Sequence, residues 1–200
     1  MCPFCYIGKR RFEAALEKFT GKINVTVEWK SFQLNPDLKT QPGKSLNEHL
    51  AEIKGISMER AAEMNAYVTQ MAKESGLDYH LEKAVVANSF DAHRLSHLAK
   101  KHGVQDQLEE LLFAAYFTQG KNTADKQVLL ELGVAAGCPA EEVALLLNNS
   151  DFAEDVKRDI EEAHEIGVRG VPFFVFNRKY AVSGAQAVDV FVQTLEASRQ

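Results

Sequence analysis

Residues 1–16 read MCPFCYIGKRRFEAAL, and the Cys2-Pro3-Phe4-Cys5 run decides how the rest is arranged. Phe12, Ala15, Leu16 and Phe19 recur at i, i+3, i+4 and i+7, which is one apolar helix face. Gly21 is expected to stop that helix. The two thiols then stand one turn apart at a helix N-terminus. Orphan N–H groups and the positive helix end stabilise a thiolate there. The thiolate is the reactive form, so this placement raises reactivity at neutral pH. Pro3 suits the first turn because the N–H it lacks would have no partner. Cys5 can attack a mixed disulfide on Cys2 and release the partner. Half of a zinc site, or two unrelated thiols, are the other readings. Zinc would want a second pair, and Cys138 is alone.

The chain has 200 residues, which suits one domain or one domain with a large insertion. A hydrophobic share of 46% is that of a globular protein with a full core. A net charge of −5 argues against nucleic acid or an anionic membrane as partner. No apolar run approaches the ~20 residues that span a bilayer. No basic-then-apolar leader is evident. Three cysteines make no disulfide framework, so a reducing, cytoplasmic setting is the expectation.

Beyond Gly21, Val25, Val27 and Trp29 alternate with Thr26, Glu28 and Lys30, which reads as a strand. QLNPD (33–37) ends it. From Ser45 to about Gly167 the pattern is helical throughout. Ser45 with Glu48 forms a capping box. Gly76, Gly103, Gly120, Gly137 and Gly167 punctuate the helices where a left-handed residue would end each one. Phe152, Val156, Ile160 and Ala163 give the last of them a buried face. VPFFVFN (171–177) is then a short apolar strand. KYAVSG (179–184) is its antiparallel partner across an Asn177-Arg178 turn. Ser183 and Gln186 read as a second capping box, before a helix lined by Val188, Phe191, Val192 and Leu195. The order is Cys-x-x-Cys, helix, strand, helical block, two strands, helix. That is an α/β, thioredoxin-like fold with a large all-helical insertion and without its first strand. Residues 1–40 and 168–200 form the thioredoxin-like domain, and 41–167 the insertion.

Other residues are weaker signals. Val171-Pro172 opens the strand, and by its base rate an X–Pro bond is trans. Lys9, Arg10 and Arg11 could favour a thiolate or an acidic substrate such as glutathione; the plainer reading, for at least two of them, is a solvated face. Gly8 costs ~1 kcal/mol inside a helix, which close approach of a neighbouring backbone would explain. His93 and His97 lie four apart with His102 beyond, but no third ligand is evident, so no metal site is expected. Asn88 and Asp91 look like a helix cap. Cys138 reads as a small residue beside a helix start.

CPFCYIGKRRFE (2–13), FQLNPD (32–37), NSFDAHRL (88–95), GVRGVPFFVF (167–176) and VSGAQ (182–186) together resemble the DsbA-type thioredoxin superfamily, and within it the FrnE-like oxidoreductases. The resemblance spans nearly the whole chain in the family's order. It implies thiol–disulfide oxidoreductase activity with Cys2 as the nucleophile and Cys5 as the resolving thiol. It matches Pro172 to a cis-proline beside the active site and Val171 to a backbone substrate contact, with Pro3 and Phe4 completing the binding surface. It implies no tightly bound cofactor beyond the Cys2–Cys5 redox pair. The expected partners are a disulfide-containing protein or a low-molecular-weight thiol, with glutathione as a candidate co-substrate, and the chain is a monomer or homodimer. Kappa-class glutathione transferases and 2-hydroxychromene-2-carboxylate isomerases are related in fold but typically carry serine at the Cys2 position. A glutathione-dependent transferase or isomerase is therefore the second reading, and a peptide-binding holdase the third. Family members have a strand before the first cysteine, between the other two. We therefore expect Met1 to be an internal methionine of a longer protein, or a strand to arrive from a partner chain. Val25–Trp29 and Phe173–Phe176 should then lie about one strand-width further apart than the ~4.8 Å of a direct pair.

Overall fold

The computed structural model describes residues 1–19 and 24–199, so the stop expected at Gly21 lies outside the described residues. Helix α1 (Pro3–Lys18) buries two faces. Tyr6 and Ile7 pack against Val68, Leu77, Tyr79, Phe113 and Phe117 of the helical block. Phe12 and Ala15 pack against Val182, Phe191 and Leu195. One helix thus joins two cores, because the apolar stripe turns from one side to the other across four turns.

The helical block comprises α2 (Leu46–Lys54), α3 (Met58–Glu74), α4 (Phe90–Lys101), α5 (Gln105–Phe113), α6 (Lys126–Ala136), α7 (Ala140–Leu146) and α8 (Ala153–Glu165). The capping box at Ser45 and Glu48 has both of its hydrogen bonds. All five punctuating glycines have positive φ. Leu95, Leu98, Leu108, Leu129, Val143 and Leu146 form the block's centre, on α4 to α7. The block is not helical throughout. Residues 75–89 form a loop whose Val86 makes an isolated bridge to Gln41. A π-helical turn, Ala114–Thr118, continues α5. The loop docks on this turn: His80 N–H donates to Phe117 O at 2.7 Å, and Thr118 Oγ1 to Asp78 O at 2.8 Å. Gly120 closes the junction. It has φ +67°, and a Cβ there would lie 2.6 Å from Lys83 Cβ and 2.9 Å from Lys83 O. At the entry to α4, Asn88 Oδ1 accepts from Phe90 N–H, whereas Asp91 pairs with Arg94 and caps nothing.

Strands β1 (Phe173–Phe176) and β2 (Tyr180–Ser183) form an antiparallel pair in register Phe173↔Ser183 to Phe176↔Tyr180. Asn177 and Arg178 both have positive φ, as a tight hairpin turn of matching twist requires. Helix α9 (Val188–Ser198) follows and lays Phe191 and Leu195 against α1 and the hairpin. Ser183 and Gln186 form no capping box. Gln186 Nε2 donates to Ser183 O, and the helix begins only at Val188 without a side-chain cap.

The strand expected at 25–29 does not form. Among the described residues the sheet has two strands, and Val25–Trp29 shares no ladder with β1. Side chains of the helical block take the backbone groups that a neighbouring strand would use. Gln105 Oε1 accepts from Trp29 N–H at 3.1 Å, and Gln105 Nε2 donates to Trp29 O at 3.0 Å. Two residues on, Asp159 Oδ2 accepts from Ser31 N–H at 2.9 Å. Residues i and i+2 of an extended segment present these groups to one edge, so that edge is occupied by side chains. Val25 and Val27 are left exposed.

Asp159 is a buried carboxylate with three partners. Besides Ser31, Lys30 Nζ lies 2.9 Å from Oδ1, and His97 Nε2 3.2 Å from Oδ2. Burial alone would raise its pKa, but His97, the Ser31 N–H and Lys30 outweigh that and hold it at about 2. The folded value is below the unfolded one of ~3.9. The carboxylate therefore contributes stability above about pH 4, which is lost as pH falls towards 2. Asp159→Asn should cost about 2 kcal/mol at neutral pH, the worth of hydrogen bonds to a charged group. Urea unfolding against pH checks this. The difference between the two proteins should shrink below pH 4, and a constant difference would assign the loss to packing.

Candidate active site

Cys2 is the N-cap of α1 and Pro3 its first residue. The backbone of Cys2 is extended, φ −94° and ψ 119°, and its side chain caps nothing. Cys2 Sγ lies 3.4 Å from Val171 O. The Val171–Pro172 bond is cis, so the trans default that holds for sequence alone does not apply here. Gly8, one turn into α1, lets this loop approach. A Cβ there would lie 3.1 Å from both Pro172 Cγ and Phe174 Cζ. The approaching groups are these two rings, not the neighbouring backbone expected from sequence.

The two thiols are unequal. A hydrogen bond from Cys5 lowers the pKa of Cys2 to about 7, against burial and with help from the Cys5 and Phe4 N–H groups. The same bond, then burial, push Cys5 well above the ordinary thiol range. Cys2 is thus the sulfur that carries charge near neutral pH, and Cys5 the one that holds a proton. All three cysteines are free thiols, and Cys138 is buried in the helical block.

The expected roles of the basic residues change. Neither Lys9 nor Arg10 lies on a solvated face. Lys9 is only 5% exposed and pairs with Glu13, Asp106 and Glu110. Arg10 pairs with Glu13 and Glu110, and the Glu110 carboxylate also accepts from Tyr6 Oη. Arg11 donates to Ala185 O at 2.6 Å. These cations bind α1 to α5 and to the loop before α9.

The histidines hold other partners. His97 Nε2 lies 3.2 Å from Ser31 Oγ and 3.2 Å from Asp159 Oδ2. Both partners meet the same ring nitrogen, so the three residues cannot relay a proton from serine through histidine to carboxylate. His102 Nε2 faces Glu142. Burial holds His93 near pKa 4. Among the described residues no group of three or more His, Cys, Asp or Glu is placed to hold a metal ion, and no helix is long and apolar enough to cross a membrane.

Two residues near the thiols carry no sequence signal. Tyr79 Oη donates to Pro3 O at 2.7 Å across 76 residues of chain. Glu109 accepts from Ser96 Oγ at 2.6 Å, burial raises its carboxyl to about 7, and its charge disfavours a Cys5 thiolate. Each lies in a segment where tyrosine or glutamate is ordinary, and only docking brings it to the first turn of α1.

The family model for the DSBA-like thioredoxin domain matches residues 1–196. The crystal structure of a probable DsbA oxidoreductase, SCO1869 from Streptomyces coelicolor, superposes with a TM-score of 0.93 at 37% identity. The match covers 99% of this chain and 86% of that one. The uncharacterized protein YwbO of Bacillus subtilis is 24% identical over 197 residues, covering 98% of this chain and 91% of that protein.

Proposed function

This chain belongs to the DSBA-like thioredoxin domain family, and from that membership we propose that it is a thiol–disulfide oxidoreductase working through Cys2 and Cys5. Its fold is α/β and DsbA-like, with a helical block between the two parts of the thioredoxin-like unit. On this reading residues 1–40 and 168–200 make up that unit, and 41–167 the insertion.

The Cys2 thiolate attacks one sulfur of a substrate disulfide. A bond forms between that sulfur and Cys2, and the other substrate sulfur leaves as a thiolate. Cys5 then loses its proton and attacks the Cys2 sulfur. The Cys2–Cys5 disulfide forms, and the first substrate sulfur leaves in turn. Reaction of that disulfide with an external dithiol or glutathione restores the starting state. Pro3, Phe4, Val171 and Pro172 form the surface on which the substrate lies, with Val171 offering its backbone. The single observation that carries this reading is the juxtaposition of an N-cap thiol with Val171 O at 3.4 Å.

The substrate is a protein disulfide or a low-molecular-weight one, in a reducing, cytoplasmic setting. A glutathione-dependent isomerase reading is less well supported. The cations that might have drawn an acidic tripeptide are committed to Glu13, Asp106, Glu110 and Ala185.

Insulin reduction in the presence of a dithiol tests the proposal. The unmodified protein should accelerate insulin precipitation. Cys5→Ser should accumulate covalent complexes with substrate, visible on non-reducing gels, because attack remains and resolution does not. Absence of both acceleration and trapped complexes would reject the proposal.

A further inference from the structure

Gly8 lies inside α1, is buried, and is not one of the glycines with positive φ. Alanine adopts that conformation at lower cost, so the position uses the missing side chain and not the backbone freedom. Two rings occupy the space. A Cβ on Gly8 would lie 3.1 Å from Pro172 Cγ, 3.1 Å from Phe174 Cζ and 3.3 Å from Phe174 Cε2. Carbon atoms pack best at about 3.5–4.0 Å, so the rings would have to withdraw by a few tenths of an ångström. Phe174 has little room for this, because its ring is packed between Phe191 and Phe12, with centroids at 4.8 Å and 5.9 Å. Pro172 is buried, and its ring is closed on its own backbone nitrogen, so Cγ cannot swing away as a free side chain does. On its C-terminal side the Pro172 backbone is held, because Gly184 N–H donates to Pro172 O at 2.8 Å. The side left to move is Val171, whose carbonyl oxygen accepts from Cys2 Sγ at 3.4 Å.

We propose that Gly8 is a positioning residue: by presenting no side chain to Pro172 it sets the spacing between the Cys2 sulfur and the Val171 carbonyl, and so the place where a polypeptide disulfide docks beside the attacking sulfur. Gly8 itself meets neither the sulfur nor the substrate and acts through the Pro172 ring. A side chain at position 8 pushes apart the two halves of the site, the thiols on α1 and the docking edge ahead of β1. A polypeptide uses both halves, whereas a small disulfide without a peptide backbone uses the sulfur alone. Gly8 therefore favours polypeptide disulfides over small ones. This selectivity rests on Cys2 attacking a substrate that lies along Val171, as proposed above; the spacing does not.

Gly8→Ala tests both parts. The first readout is the Raman S–H stretch of Cys2, the band that Cys2→Ser removes. It is recorded at about pH 5, below the Cys2 pKa of about 7, where the sulfur keeps its proton. A weaker hydrogen bond leaves a stiffer S–H bond, so in Gly8→Ala this band should move to higher wavenumber. The second readout is the ratio of kcat/KM for insulin to kcat/KM for a small aromatic disulfide. The net worth of one neutral hydrogen bond corresponds to a roughly two- to tenfold change in affinity, and the ratio should fall by that factor. An unmoved S–H band would overturn the proposal. So would an equal fall with both disulfides, which is what a loss of folded protein gives. Should Gly8→Ala fail to fold, the same change is made in Phe174→Leu, which frees one of the two crowded sides, and is compared with Phe174→Leu alone. An unmoved band there would overturn the proposal as well. The Raman readout needs no disulfide substrate. A shifted band in a protein without insulin reductase activity would therefore reject the proposed function and leave the spacing role of Gly8 standing.

Discussion

Cys2→Ser should reduce insulin no faster than the uncatalysed reaction, between about pH 5 and pH 9. A serine hydroxyl does not ionise in that range, and its oxygen forms no mixed disulfide. Cys5 cannot substitute for it, because its burial, which survives the loss of the Cys2 sulfur, still favours the protonated thiol. The unmodified protein should show the matching pH profile. Its attacking thiolate is lost as pH falls below about 7, so the rate should drop roughly tenfold per pH unit there and level off above. Initial rates of insulin reduction, or of exchange with a small aromatic disulfide, check both statements. Exchange that persists in Cys2→Ser would mean that Cys5 attacks, and the assignment of the two sulfurs would have to be reversed.

Arg94→Met should cost about 3–5 kcal/mol of stability, the range for breaking a buried charged network by removing one member. Arg94 is 4% exposed. Its Nε donates to Asp151 O at 2.8 Å, and Nη2 to Leu146 O at 2.6 Å and Asn149 O at 2.7 Å. Nη1 meets Asp91 Oδ1 at 2.8 Å, one turn back on α4. Leu146 ends α7, where carbonyls have no partner within the helix. One guanidinium therefore serves the end of α7 and the turn that leads into α8. Methionine fills much of the volume but leaves three carbonyls and a carboxylate without their donor. A lysine, one point charge on a flexible stem, cannot reproduce the planar fork, so Arg94→Lys should recover little. Against a total of ~5–15 kcal/mol the loss is large. It should appear as a lower urea midpoint with an unchanged slope. A loss below about 1 kcal/mol would show that water replaces the guanidinium at these carbonyls. Arg94 belongs to the NSFDAHRL run that helped identify the family, so that part of the motif serves the fold.

Much of this architecture was legible in residues 1–200 because it depends on neighbours in the chain. The stripe of Phe12 and Ala15, the Ser45–Glu48 box, the left-handed glycines and the Asn177-Arg178 turn are each specified within a few residues. So is the placement of Cys2 and Cys5 at a helix start, since a helix end exposes its N–H groups whatever surrounds it. The misread elements depend on partners far away. The alternation from Val25 to Trp29 is strand-like, but a strand exists only as a ladder, and the Trp29 and Ser31 backbones are satisfied by Gln105 and Asp159. Lys9 and Arg10 have the composition of a solvated face and became ion-paired, Lys9 buried and Arg10 half-buried, because α5 brings Glu110 to them. Tyr79, Glu109 and Arg94 acquire their environments only when the helical block docks on α1 and on itself. Sequence alone determined the local geometry that sets two thiols at a helix start, since helix periodicity, caps and turn residues act over one or two turns. Tertiary structure decided how deeply each sulfur is buried and which backbone groups remain for another strand, since burial and hydrogen bonds between residues tens of positions apart exist only in the packed molecule.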